Sequence, residues 1–506
     1  MGRRRYVAAA AVLASGAFLL ASCHSPSPPP PPPTTGPTPS ELPAAPQAAS
    51  VRQIATNMAA VGWTADGQLV YNRRGSDGSW DAYTARPDLS GERCVTCTLN
   101  VPGPGTKGQR GGSAVSADGK YLLATVEGRH GGRYGQGASD PGKGAHDDIW
   151  LFRLDGGGAW RLTDYAADGD LGTMWAGFDR TGTRIVWAQM HGGVSLRAPL
   201  GSWRIKIAGL AWSNGGPHLV DVQTRDPQQH RFYEPYGFSP DGRNVLLSSD
   251  YGMPNAFNAQ IFLMDAASGT MKRLSPADAP TGFFTNYNEF AQYTPDGKRI
   301  VFGRTKGSKG GMDYWTMMAN GSEVRRLTYI GDRWHSDHKA YGNVGGFAFN
   351  PRNPNEIFTG RSTDVLSHSI NGFLIDLASG GLQATYFKDQ ARRTTSLQTS
   401  ENPSDGLSFA SDTSASWTGR LQVPASGTYT FTGRTDGKSA LQIAIDGVRL
   451  RSSKSSGSYS ATASLRPGSH TVTIQYVNGG DDGYEQVLWQ PPDAHSATKI
   501  PVSALS

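Results

Sequence analysis

A four-residue turn signature recurs six times along this chain, and no other feature narrows its fold as far. It reads Thr64-Ala65-Asp66-Gly67, Ser116-Ala117-Asp118-Gly119, Asp179-Arg180-Thr181-Gly182, Ser239-Pro240-Asp241-Gly242, Thr294-Pro295-Asp296-Gly297 and, in degenerate form, Asn350-Pro351-Arg352-Asn353. The spacing of roughly 50 to 65 residues is that of a chain built from repeated supersecondary units. Each signature has the composition of a tight hairpin turn, with Gly supplying positive φ. An apolar strand follows each: Leu69 to Tyr71, Tyr121 to Val126, Arg184 to Ala188, Val245 to Ser248, Arg299 to Phe302 and Glu356 to Phe358. A third strand recurs at Asp148 to Leu154, Gln260 to Asp265, Tyr314 to Met318 and Gly372 to Leu377. A fourth reads Arg161-Leu162-Thr163, Arg273-Leu274-Ser275 and Arg326-Leu327-Thr328. Four short antiparallel strands per unit, with no helical period between them, predict an all-β chain containing a six-bladed β-propeller. The last unit runs out after its third strand, so residues 47 to 57 are expected to supply its outer strand and close the ring.

The serine-proline-aspartate-glycine turn and the arginine-leucine-threonine outer strand resemble the recurring marks of the TolB-type, WD40-like propeller, over about residues 50 to 380. The resemblance implies the fold and leaves function open, because such blades serve translocation proteins, peptidase gates, lyases and glycosidases alike. TolB carries an α/β domain ahead of its propeller, and this chain has another kind of segment in that place.

Arg3, Arg4 and Arg5 precede an apolar stretch from Tyr6 to Leu20, shorter than the roughly 20 residues a membrane-spanning helix needs. It ends in Leu20-Ala21-Ser22-Cys23, which resembles a bacterial lipoprotein signal. The resemblance implies removal of residues 1–22, diacylglycerol on Cys23, and an extracytoplasmic protein lipid-anchored to the outer membrane or cell surface. Residues 23–46 hold the run Pro28 to Pro33 with further prolines, a composition that favours an extended polyproline II tether. The two remaining cysteines, Cys94 and Cys97, are expected to pair as a disulfide in an oxidising compartment. One CxxC without a second supplies too few ligands for structural zinc. A net charge of +6 over 506 residues, with no long basic run, gives no argument for a nucleic-acid partner.

The propeller is expected over 47–380 and a second domain over 381–506, where strict alternation replaces the blade signature: Tyr429 and Phe431, then Leu441, Ile443 and Ile445, then Val472, Ile474 and Tyr476. Its ordered phrases are Gly381-Leu382-Gln383-Ala384-Thr385-Tyr386-Phe387, Trp417-Thr418-Gly419, Gly427-Thr428-Tyr429-Thr430-Phe431, Ile445-Asp446-Gly447 and Val487-Leu488-Trp489. Together they resemble the module named after anthrax protective antigen, a lectin-like β-sandwich of adhesins and glycosidases. The resemblance implies carbohydrate binding, often through calcium on two consecutive aspartates. Here that position reads Thr435-Asp436-Gly437, so Asp436 is the candidate glycan and Ca2+ ligand, with one of the two carboxylates replaced.

Chemistry on the propeller is expected on the face formed by the second-to-third and fourth-to-first connections. Seven of the 11 histidines fall in those loops: His130, His146, His191, His230, His335, His338 and His368. His335 and His338, flanking Asp337, are the candidate ligands of a divalent metal. Carboxylates gather there too. Asp168 and Asp170 precede the third inner strand, Glu234 the fourth, Glu289 the fifth and Asp337 the sixth, and two facing carboxylates are what glycoside hydrolysis requires. Glu234, Glu289, Asp170 and Asp337 are therefore the candidate catalytic acids, with Tyr236, Tyr287, Trp175 and Trp334 as faces on which a sugar ring could stack. No Gly-x-Ser-x-Gly motif sits on a strand-to-helix turn, which argues against serine hydrolase chemistry.

The sequence thus points to a monomeric lipoprotein acting on poly- or oligosaccharide, with a glycoside hydrolase site in the funnel and a glycan-binding sandwich. A non-catalytic glycan- or protein-binding envelope scaffold is the alternative, and a histidine-metal polysaccharide lyase the second.

Overall fold

The computed structural model describes residues 46–76, 79–97, 110–127, 147–165, 172–193, 195, 197–198, 200–254, 257–276, 287–305, 311–330, 344–362, 370–393, 395–404, 406–436, 439–453, 457–480 and 482–506. Cys23 and the tether before residue 46 lie outside them, as do several blade connections. Among the described residues, no helix is long and apolar enough to cross a membrane.

The chain is all-β. Six four-stranded antiparallel sheets follow one another as blades, and their inner strands are Ala59–Trp63, Arg110–Val115, Gly172–Phe178, Tyr233–Phe238, Asn288–Tyr293 and Val344–Asn350. The sixth blade has its own three strands and takes its outer one from the start of the propeller. Pro46–Ala55 pairs with Ile370–Ser379, Pro46 opposite Ser379 and Ala55 opposite Gly372. That closes the ring and removes a free edge. The core is divided between neighbouring sheets: Val186 and Ile205 of the third blade, for example, pack with Val245, Leu247 and Phe262 of the fourth.

The turn signature is a hydrogen-bonded cap. In four of the six, the leading Ser or Thr hydroxyl donates to the Asp two residues on, as in Ser116 to Asp118 (2.6 Å), Ser239 to Asp241 (2.5 Å), Thr294 to Asp296 (2.6 Å) and Thr64 to Asp66. The third turn reverses the order, Thr181 donating to Asp179 at 2.9 Å. Gly119 shows what the closing glycine is for. Its φ is +66°, and a Cβ there would sit 2.1 Å from the backbone nitrogen of Ala65 in the preceding blade's turn.

The arginine-leucine-threonine mark is a staple, and its strand ends one residue into the mark. The outer strands stop at Arg161, Arg273 and Arg326, because the next Thr or Ser turns its hydroxyl into the third strand. Thr163, Ser275 and Thr328 accept from the amides of Ile149, Ile261 and Tyr314 at 2.9, 3.1 and 3.0 Å. The same hydroxyls donate to Asp148, Gln260 and Asp313 at 2.8, 2.7 and 3.0 Å. The arginine of each mark donates to that same acceptor, at 2.7, 2.8 and 2.7 Å. One side chain at the head of each third strand therefore pins the C-terminal end of the outer strand through two residues. In the first blade Thr96 and Asp81 form the same pair at 2.7 Å, and Cys94 and Cys97 beside it form a disulfide.

Only Gly380 and Gly381 separate the last propeller strand from the first strand of the C-terminal domain, Leu382–Phe387. Gly380 is crowded as well as left-handed: at φ +148°, a Cβ would lie 2.1 Å from the carbonyl oxygen of Val502. The Gly381 amide donates to Leu505 at 2.9 Å, and Tyr329 of the propeller joins the apolar core of the second domain. That domain is a sandwich. One sheet orders Thr395–Glu401, Leu382–Phe387, Ser414–Val423, Gly468–Val477, Ala440–Ile445 and Val448–Ser453. The other orders Leu407–Ala410, Asp482–Gln490, Gly427–Thr435 and Gly457–Leu465, with Thr498–Lys499 against Asp482–Gln490. The alternating residues Tyr429, Phe431, Leu441, Ile443, Ile445, Val472, Ile474 and Tyr476 all point inward and are buried.

Candidate functional site

Every inner strand of the propeller carries a β-bulge near its middle. The extra residue in each turns toward the axis. Val61, Ser113, Trp175, Tyr236, Phe290 and Gly346 thus form one ring around the channel. Three consecutive blades contribute aromatics and the other three contribute small side chains or none. Trp175 and Phe290 adopt left-handed conformations, φ +40° and +54°, which bulky residues rarely accept. Their rings meet edge to face with centroids 6.0 Å apart. The indole reaches across to the sixth blade, 3.8 Å from where a Cβ on Gly346 would lie. The Phe290 amide donates to the Tyr236 hydroxyl at 2.7 Å. The ring is thereby knit into an aromatic layer across the channel.

A cavity of about 570 Å³ lies on the hairpin-turn side of this layer, reaching Ala65, Ser116, Asp179, Pro240 and Thr294 at its mouth. Its charged lining is small. Asp179 is spent on its own turn, accepting from the amides of Thr183 and Arg184 at 3.0 and 3.1 Å, while Arg180 stands exposed at the rim.

The candidate glutamates lie on the other side of the layer. The expectation that they precede their strands is corrected: Glu234 and Glu289 are each the second residue of an inner strand, Tyr233–Phe238 and Asn288–Tyr293. Trp175 and Tyr236 are likewise strand residues. The strands start earlier because the bulge resets the alternation and lets apolar residues on both sides of it remain inward. Glu234 is 3% exposed and Glu289 half-buried. Burial, and then the negative charge of both glutamates, hold the Tyr236 and Tyr287 hydroxyls well above the usual phenol range, and Tyr287 also hydrogen-bonds Glu289. Asp250, buried and accepting from the Phe232 amide at 2.8 Å, has its carboxyl pushed up by desolvation. The Ser248 hydroxyl ties the fourth blade to the fifth through the Asn288 carbonyl at 2.6 Å.

Asp168, Asp170, Trp334, His335, Asp337 and His338 lie outside the described residues, as do His130, His146 and His368. Of the histidines expected in loops that are described, His191 lies instead in the strand Arg184–Gly192, 3.8 Å from the Asp226 carboxylate, and burial pulls its pKa down. His230 Nδ1 is 3.3 Å from the Ser202 hydroxyl. The described residues contain one close set of metal-ligating types, Asp81 with Cys94 and Cys97, and the disulfide consumes both of its thiols.

In the sandwich, Asp436 follows the strand Gly427–Thr435. Its Oδ1 is buried and accepts no hydrogen bond among the described residues. Tyr476 below it donates to Ser439 at 2.8 Å, and Ser439 donates in turn to Asn478 at 3.1 Å. Burial is the main reason that the Tyr476 hydroxyl titrates far above its usual range, and the charges of Asp436 and the buried Glu485 add to it. These acids therefore gather at one end of the sandwich. A buried carboxylate oxygen without a donor is the condition that a hard cation relieves, so Asp436 fits a calcium ligand. Sequence reasoning missed Glu485, since a lone Glu within a strand carries no mark of its own. Asp481 lies outside the described residues, and of Asp482 only the backbone is described.

Fold and site together define a six-bladed propeller joined through two glycines to a β-sandwich with an acidic end. Residues 378–503, the sandwich, match the PA14 domain family. Among solved structures, the chain is similar to a TolB-like protein of Agrobacterium tumefaciens, at 17% identity over 54% of this chain and 80% of that one, with a TM-score of 0.36. It is also similar to an oligogalacturonate lyase in complex with manganese, at 14% identity over 67% and 97% with a TM-score of 0.38. A Vibrio parahaemolyticus oligogalacturonate lyase is similar at 11% identity over 65% and 91%, with a TM-score of 0.35.

Proposed function

We propose that this protein is an extracytoplasmic lipoprotein that captures carbohydrate through the acidic end of its PA14 sandwich. The carrying observation is Asp436, whose buried Oδ1 accepts no hydrogen bond among the described residues, in a domain matched by the PA14 family. Asp436 would ligate calcium, and the ion would supply a fixed positive charge that vicinal sugar hydroxyls can join. The Cys23 signal supports the location, and so does the Cys94–Cys97 disulfide, a bond that persists in oxidising compartments. The test is a glycan array with the full chain in calcium and in chelator, beside Asp436→Asn. Binding is expected to need both calcium and Asp436, and calcium is expected to raise the melting temperature of the wild type only. An array blank in both conditions overturns the reading.

A second reading, glycoside hydrolysis in the funnel, is favoured by one specific observation: Glu234 and Glu289 hold the same second position of consecutive inner strands, Tyr233–Phe238 and Asn288–Tyr293, beside Tyr236 and Tyr287. Two carboxyls in mutual range can hold their pKa values apart, one protonated as acid and one ionised. Glu234→Gln and Glu289→Gln are expected to lower turnover on a captured glycan by about a hundredfold or more with the fold intact. Unchanged release of reducing ends by both variants removes the hydrolase reading and leaves the binding one.

A further inference from the structure

The third blade differs from its neighbours in its outer half. Its third and fourth strands run 12 and 10 residues, whereas the outer strands of the second, fourth and fifth blades have 3, 3 and 2. The overhanging hairpin carries Trp212 next to its turn, and half of that side chain's surface is exposed. The indole is not loose. It meets the Trp160 ring edge to face at 5.6 Å and the Tyr121 ring at 5.3 Å, both supplied by the second blade. Trp160 is itself held between two glycines. A Cβ on Gly158 would lie 2.3 Å from its ring, and one on Gly216, in the overhanging hairpin, 2.5 Å.

We propose that Trp212, buttressed by Trp160 and Tyr121, is a stacking platform for a pyranose ring of a neutral polysaccharide, separate from the sandwich and from the propeller channel. Three observations carry this. The exposed apolar area is half of one indole, on the order of 100 Å², which matches one face of a hexose and falls short of the several hundred Å² of protein- or membrane-docking patches. The platform is rigid before binding, so little side-chain entropy is lost on contact. Its surround is polar: Ser213, Asn214 and His218 of the same hairpin are exposed and offer hydrogen bonds to ring hydroxyls. A nucleic-acid strand, which also stacks on aromatics, needs a track of cations. The lysine next to Tyr121, Lys120, faces Asp118 at 3.5 Å.

The experiment titrates the full chain, by tryptophan fluorescence and calorimetry, with cellohexaose, xylohexaose, mannohexaose and chitohexaose, and with a fifteen-nucleotide oligothymidylate. It compares wild type, Trp212→Ala, Trp212→Tyr and Asp436→Asn. At least one oligosaccharide is expected to bind. Trp212→Ala should weaken that binding about tenfold or more at an unchanged melting temperature, and Trp212→Tyr should stay within about threefold of wild type. The loss is expected to persist in the Asp436→Asn background, which separates this platform from the sandwich. No response to any of the four sugars, equal affinity of Trp212→Ala and wild type, or binding of the oligothymidylate alone each overturns the proposal.

Discussion

Removing the Asp313 carboxylate should destabilise the propeller far more than removing Asp313 and Arg326 together. The Arg326 guanidinium donates to Asp313 at 2.7 Å, and the two side chains are only 7% and 4% exposed. Arg326 also covers the Tyr329 ring at 4.3 Å, where the propeller meets the sandwich core. At an effective dielectric of about 20, unit charges so close attract by roughly 6 kcal/mol, most of which offsets the cost of taking both out of water. Asp313→Leu leaves a buried guanidinium without this carboxylate and takes the acceptor from Thr328, for an expected loss of about 3–5 kcal/mol. In a domain of this size that lowers the melting temperature by roughly 4–7 °C. The double variant Asp313→Leu/Arg326→Met buries an apolar pair instead and should lose at least about 1.5 kcal/mol less than Asp313→Leu alone. Urea unfolding followed by tryptophan fluorescence, with calorimetry, measures all four corners of the cycle. Strict additivity, the double loss equal to the sum of the single losses, refutes the view that the recurring arginine and acid act as one staple. The same cycle on Asp148 and Arg161 should give weaker coupling, since Arg161 is 37% exposed and has Asp164 as a second partner.

Gly119→Ala should cost at least about 2 kcal/mol, since left-handed strain adds to a backbone clash that no rotamer can relieve, and denaturant midpoints check it. Tyr236→Phe removes the acceptor of the Phe290 amide and should cost about 1–3 kcal/mol by the same measurement. His470 pairs through Nδ1 with the Asp446 carboxylate at 2.6 Å and through Nε2 with the Arg466 carbonyl at 2.8 Å, two acceptors that only the imidazolium can donate to at once, and the Asp446 bond chiefly raises its pKa. A group whose folded pKa is raised contributes stability that is complete below its ordinary value of about 6.5 and is lost as pH climbs through the raised one. The sandwich should therefore melt slightly lower at pH 8.5 than at pH 6, by less than about 1 kcal/mol because Asp446 is half exposed, and His470→Gln should abolish the difference.

The blades were legible because their caps and staples are local. A Ser-x-Asp-Gly turn and an Arg-x-Thr outer mark bond within their own hairpins, so the residues that define them sit at fixed offsets. The sandwich was legible through alternation, since Leu441, Ile443 and Ile445 share one buried face. What stayed hidden was long-range. The bulges that set Trp175, Tyr236 and Phe290 in one ring arise from pairing between strands, and nothing in the inner-strand sequences marks the extra residue. Glu234 and Glu289 were singled out as acids, but their place within strands, behind an aromatic layer, depends on those bulges. The Trp212 platform is assembled from two blades through glycines 58 positions apart, Gly158 and Gly216, and has no motif in the sequence.

The strand that closes the ring follows the Pro-rich stretch directly, and its partner, Ile370–Ser379, runs straight into the sandwich. Because Pro46 lies opposite Ser379, both chains leave this ladder at the same end. Tension applied between the N-terminal side and the sandwich therefore falls at one end of a two-strand ladder, in peeling rather than shear. In peeling, hydrogen bonds carry the load one after another instead of sharing it. Under such tension the outer strand of the sixth blade, Pro46–Ala55, is the expected point of first detachment.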